Sequence, residues 1–205
     1  MPDVKERTMI PEAEVFLLAD QAAMHVLTRI PGERLDTLLP PVFDMPGADR
    51  PTPLREVVAH LAYDEAWIPD LLAGRSMDEV GKDAYDGDLL GDDPAGNLTR
   101  LGEAARAAAR TVTDREAPVH CSYGVCATWD YFWQLNVART LTAHDVAAHL
   151  GLGSPLSEEL SRRMYDGSVP LAPRWREIGV FREPVPVAGD ASWRTRYLAL
   201  TGRRA

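Results

Sequence analysis

The chain has 205 residues and carries 31 acidic against 22 basic side chains, a formal charge of −9. Nucleic acid is excluded as a partner because a phosphate backbone needs clustered Lys and Arg, and no apolar run approaches the ~20 residues that cross a bilayer. The opening MPDVKERTMI is too charged for a secretory leader, so the chain reads as a cytoplasmic protein whose two cysteines, Cys121 and Cys126, are free thiols.

Pro11 opens the first predicted helix, in which Val15, Leu18, Ala22, Val26 and Ile30 recur at helical spacing before Pro31-Gly32 ends it. A proline-rich connection, LLPPVFDMPGADRPTP, is too broken for regular structure. Thr52 followed by Pro53 reads as an N-cap with proline in the first helical position. The second helix carries Leu54, Val57, Leu61, Ile68 and Leu72 on one stripe; Pro69 is expected to kink or end it early, and Gly74 to cap it.

The acidic stretch SMDEVGKDAYDGDLLGDDPAG reads as a loop. Asp83, Asp86, Asp88, Asp92 and Asp93 lack the closing glutamate of a calcium loop and are read as solvated. Asp93-Pro94 starts a third helix through Leu98, Leu101, Ala105, Ala108 and Val112. Thr128 is expected to cap a fourth, WDYFWQLNVARTLTAHDVAAHL, which ends at Gly151, and a shorter helix follows near SEELSRRMY. The tail alternates around Val185 and Val187, as short strands do, and closes on a helix capped by Asp190. Four main helices with a C-terminal appendage make an all-α bundle.

Among the polar groups, His60 and Asp64 stand four residues apart beside Trp67, so the carboxylate can orient the imidazole or both can hold a metal, or the pair simply satisfies a half-buried histidine. On the fourth helix Ala138, Thr142, Asp145 and His149 form one stripe, and His144 points elsewhere. Asp145 and His149 read either as part of a metal site or as a pair near the helix C-terminus, where a cationic histidine suits the dipole. His120 beside Cys121 is a weak signal for an activated thiolate, because neighbours in sequence seldom face each other. There is no glycine-rich phosphate loop and no G-x-S-x-G elbow.

The segments PTPLREVVAHLA, DVAAHLG and IGVFREPVPVAGDASWRTRYLALTGR together resemble the DinB-like, mycothiol-dependent maleylpyruvate isomerase superfamily, its actinobacterial members above all. The resemblance runs from Pro11 onward and implies a DinB-like four-helix bundle over residues 1–166 and a C-terminal extension, 167–205, packed on it. It also implies a divalent metal, zinc or a similar ion, held by a His on the second helix and a Glu-x-x-x-His on the fourth followed three residues later by Asp. His60 matches the first ligand. Counted back from Asp145, the other two positions are Ala138 and Thr142, which can supply neither a carboxylate nor an imidazole.

The standard site is therefore expected to be lost. Two alternatives keep a metal: Asp145 and His149 join His60 in a displaced site, or His144 becomes the ligand and leaves Thr140 where Glu belongs. Either needs one to two helical turns, ~5–10 Å, of displacement. Without a metal, the expected cavity is lined by Trp67, Trp129, Tyr131 and Trp133 together with His60, Asp64 and His149, although such aromatics also make ordinary core.

Three functions follow. The first is a small-molecule enzyme, isomerase or transferase in type and suited to specialised metabolism, with His60 and Asp64 as acid–base catalysts. The second is a module that binds or sequesters a small ligand without turnover. The third is a metal-dependent, mycothiol-using enzyme with the displaced site. In each, the partner is a small molecule and the chain is a monomer or homodimer.

Overall fold

The computed structural model describes residues 8–204. The charged opening through Arg7, the start of the expected bundle unit, and Ala205 lie outside the described residues. Helices dominate: α1 (Pro11–Leu27), α2 (Leu54–Leu72), α3 (Met77–Val80), α4 (Pro94–Ala109), α5 (Thr128–His149), α6 (Glu158–Ser168), α7 (Ala172–Glu177) and α8 (Trp193–Leu200). Two small antiparallel pairs complete the described residues, β1 (Leu38–Leu39) with β2 (Thr52–Pro53) and β3 (Pro118–Cys121) with β4 (Gly124–Ala127). No described helix is long and apolar enough to cross a membrane.

The all-α reading with a small appendage agrees with this architecture, and several details differ from expectation for clear local reasons. Asp93 caps α4 as expected, its carboxylate accepting from the Gly96 amide at 3.0 Å. Thr52 does not cap α2: it sits in β2 opposite Leu39, and the helix begins one residue after Pro53. Thr128 is already inside α5 and donates to the Ala117 carbonyl at 2.8 Å. Ser192, not Asp190, caps the last helix. Pro69 does not end α2 early, since the helix runs on to Leu72; so near the C-terminus a missing N–H forfeits only one ladder bond. The tail around Val185 forms no strand, and the Val185 amide instead donates to the Ala199 carbonyl at 2.9 Å. The real hairpin is β3–β4, before α5.

What positions the site is the packing of the four long helices. α5 lies along α1, α1 along α4, and α4 along α2. On the remaining side, between α2 and α5, long side chains rather than closely packed backbones make the connection, and space is left there. One apolar cluster joins α1 and α5 to α6–α8 through Val15, Leu141, Met164, Trp175 and Tyr197. A second joins α1, α2 and α5 near Leu27, Leu54 and Val146, and a third fills the end near Phe16, Ile68 and Phe132.

The C-terminal segment also holds the irregular loop between β1 and β2. The Asp44 amide donates to the Gly179 carbonyl at 2.9 Å. Gly179 has φ +80°, and a Cβ there would press on the Asp44 backbone, so only glycine lets the two chains meet this closely. Arg182 Nη2 donates to the Pro41 carbonyl at 2.7 Å, and Arg203 reaches the Val42 carbonyl.

Candidate functional site

The gap between α2 and α5 holds two adjoining cavities. The larger, about 410 Å³, is walled by α1, α2, α5 and the loop through Pro40, Val42 and Phe43. Its polar side chains are Arg50, Thr52, Glu56, His60, Asp64, Arg139 and Thr142. The smaller, about 230 Å³, is walled by Tyr63, Trp67, Tyr131, Gln134 and the tip of the β3–β4 hairpin. Asp64, Ala138 and Arg139 line both, so these three stand where the cavities meet.

His60 and Asp64, brought together by the i, i+4 spacing of α2, are loosely paired. The imidazole Nε2 is 3.9 Å from Asp64 Oδ2, and the ring is 78% exposed. Arg139 Nη1 stands 3.5 Å from the same oxygen, Asp64 Oδ2. One oxygen of Asp64 thus lies between an exposed imidazole and a buried guanidinium.

Behind Asp64 lies a buried ionic layer. The Arg139 side chain is 1% exposed and donates from Nε and Nη2 to Glu65 Oε1 at 3.1 and 2.6 Å. Its guanidinium also lies over the Phe16 ring, 5.9 Å from the centroid. Asp20 on α1 is fully buried and is bound by Arg106 from α4. The oxygens left without an N–H donor are Glu65 Oε2 and Asp20 Oδ1. The two carboxyl groups interact with each other, and a proton held on Glu65 can be shared with Asp20. Burial is the chief cause that pushes Glu65 up to about 8, with the Asp20 charge adding to it against the pull of Arg139. Burial raises Asp20 as well, against its arginine neighbours. Arg139 stays charged, because the attraction of Glu65, Asp64 and Asp20 outweighs its own desolvation.

The expected aromatic liners divide. Trp67 and Tyr131 are buried and line the smaller cavity. Trp67 meets Tyr85 edge-on at 4.8 Å. Trp129 and Trp133 line neither cavity. Trp129 stacks under Arg115 at 5.6 Å, and Trp133 fills the space over Gly167, where a Cβ would overlap the indole. They leave the site because α5 turns ~100° per residue, and positions two residues from Tyr131 point to other neighbours.

The expected metal residues divide in the same way. His60, Ala138 and Thr142 do meet at the larger cavity. Asp145 and His149, the other members of the displaced set, are not there. Asp145 is held by Arg203, whose Nε is 3.0 Å from both carboxylate oxygens, and His149 lines neither cavity. His144 is buried, shares a hydrogen bond of 3.1 Å with Ser154, and is made less basic first by burial. Among the described residues no three His, Cys, Asp or Glu side chains converge to hold a metal. The groups that line the larger cavity are therefore a poor fit to the divalent ion the resemblance implies: the His60 imidazole, the Glu56 carboxylate, the Asp64 carboxylate already facing a guanidinium, and the Thr52 and Thr142 hydroxyls, without three ligands that converge.

Sequence spacing missed Asp20, Glu65 and Arg139. The signal was present nonetheless: each sits inside an apolar stripe, Asp20 four residues after Phe16, Glu65 between Leu61 and Ile68, and Arg139 between Leu135 and Ala143. A charge at a core position of two facing helices implies a buried partner. No protein-family model, curated protein or solved structure matches the chain.

Proposed function

We propose that this chain is a small-molecule enzyme of the DinB-like, maleylpyruvate isomerase-like kind, isomerase or transferase in type, that works in the cytoplasm without the standard metal. The observation that carries the reading is the cleft between α2 and α5, where His60, Asp64 and Arg139 border one cavity of about 410 Å³. A volume of this size with a few convergent polar groups suits a mid-sized organic ligand.

In this reading the substrate lies between His60 and Arg139. His60 Nε2 takes a proton from the substrate, and the Asp64 carboxylate, 3.9 Å away, favours the imidazolium that forms. The Arg139 edge facing Asp64 stabilises the negative charge that develops on a substrate oxygen. The exposed imidazole can swing onto a ligand, whereas the guanidinium is already fixed. Two further features support the family reading: four long helices with a C-terminal extension, and the meeting of His60, Ala138 and Thr142 at one cavity.

A second reading, binding without turnover, draws on the lack of a hydrogen bond between His60 and Asp64. A turnover screen of small carbonyl compounds, with and without a low-molecular-weight thiol and followed by NMR, separates the two. The enzyme reading expects a converted compound and a His60→Ala variant that loses conversion with unchanged far-UV circular dichroism. Retained turnover in that variant removes His60 from the mechanism; saturable binding without conversion across the screen favours the second reading.

A further inference from the structure

The β3–β4 hairpin carries a feature that the acid–base reading does not use. Its two-residue turn pairs Cys121 with Gly124 and Val119 with Cys126. Cys121 and Cys126 are therefore diagonal neighbours on one face of the ribbon. Both thiols are free and half-buried, and their sulfurs are 3.9 Å apart. Both pack against the apolar cluster that contains Trp67 and Tyr131, so they share one environment. Cys121 walls the smaller cavity on one side and a shallow surface pocket beside Met77 and Lys82 on the other.

We propose that Cys121 and Cys126 are a dithiol modification site, closing reversibly to a disulfide across the hairpin and resetting the wall of the smaller cavity. A disulfide needs the sulfurs at ~2.05 Å, so they must approach by roughly 2 Å. An isolated two-stranded ribbon can twist that far without breaking a larger sheet. The chemical partner is a small-molecule disulfide, RS–SR. The Cys126 thiolate attacks one of its sulfurs, breaking the S–S bond and expelling a thiolate that takes up a proton. Cys121 then loses its proton to solvent, attacks Cys126 Sγ and releases the second thiol. In sum, a protein dithiol and one RS–SR become a protein disulfide and two RSH.

Burial pushes the Cys121 thiol up to about 12, so little of it is thiolate near neutral pH and its attack is the slow step. Closure draws the Cys121 sulfur toward Cys126 and off the cavity wall. It also moves the strand that leads into the turn, whose Tyr123 hydroxyl donates to Gln134 Oε1 at 2.6 Å and ties the hairpin tip to α5.

The test treats the full chain with glutathione disulfide, blocks remaining thiols with iodoacetamide and maps the tryptic peptide Glu116–Arg139, which contains both cysteines. The expected product has lost two hydrogens and both alkylation sites, and dithiothreitol restores both. Cys121→Ser is expected to stop at a single glutathione adduct on Cys126. Two alkylated cysteines, two glutathione adducts, or an unresolved adduct on Cys126 in the unsubstituted chain would each overturn the proposal.

Discussion

Arg139 and His60 flank the same carboxylate, Asp64, and differ in nearly every physical respect. Arg139 is 1% exposed, bonded through two nitrogens to Glu65 and stacked over Phe16, whereas the His60 ring is 78% exposed and makes only a 3.9 Å approach to Asp64. The inner layer is fixed before any ligand arrives; the outer rim is free to adjust to one. Removing a partner from a desolvated ionic layer strands charges, while removing an exposed histidine strands nothing. The inner layer should therefore govern stability and the rim should govern function.

The sharpest way to break this contrast is Arg139→Ala. It leaves Glu65 without its two N–H donors and Asp64 without its buried counter-charge, and removing one partner of a buried pair costs about 3–5 kcal/mol. Urea unfolding should show a free energy lowered by that amount, through a lower midpoint at an unchanged slope. A loss under about 1 kcal/mol would mean that the layer is not desolvated as described.

The next effect concerns the far wall of the larger cavity. Arg203 is buried, grips Asp145 with two nitrogens and reaches the Val42 carbonyl. Hydrogen bonds to charged groups contribute about 1.5–3 kcal/mol each at most, so Arg203→Ala should destabilise by about 2 kcal/mol. It should also raise hydrogen exchange in the loop through Val42 and Phe43. Destabilisation without faster exchange there would separate the C-terminal segment from the cavity wall.

A third test uses the shared proton. Glu65 is pushed from 4.5 up to about 8 in the folded chain. Below its ordinary value it is protonated in both states and its contribution to stability is fully present. As pH rises through the window up to about 8, the unfolded chain releases a proton that the folded chain retains, and the contribution is lost. Glu65→Gln keeps an oxygen for Arg139 and an N–H for Asp20 without titrating. Its thermal midpoint should fall less than that of the unsubstituted chain between pH 5 and pH 8; parallel curves would place the buried proton elsewhere.

These residues also show what the sequence discloses and why. Helix periodicity located α1, α2, α4 and α5, because a 3.6-residue stripe is a local property of the chain. Cap identities were less legible: Thr52 and Thr128 have the right chemistry but are claimed by strand pairing and by the Ala117 carbonyl. The pairing of Asp145 with Arg203 spans 58 residues, and no local pattern foretells it. Spacing placed His60 and Asp64 on one face correctly, yet it overlooked Glu65, whose significance depends on an arginine 74 residues away. Local patterns find faces; partners across a gap come only from the packed chain.

The smallest expected effect is the most discriminating for the contrast between the layers. Among the described residues His60 has no polar partner closer than the 3.9 Å to Asp64, and its ring is open, so His60→Ala should change stability by no more than about 0.5 kcal/mol. The same substitution removes the only imidazole among the described residues that borders the larger cavity. A variant that unfolds at the urea concentration of the unsubstituted chain, yet fails to convert a compound that chain converts, would place His60 in function alone. A stability loss approaching that of Arg139→Ala would show instead that the rim is as firmly built as the layer beneath it, and a mobile imidazole would no longer be a tenable proton acceptor.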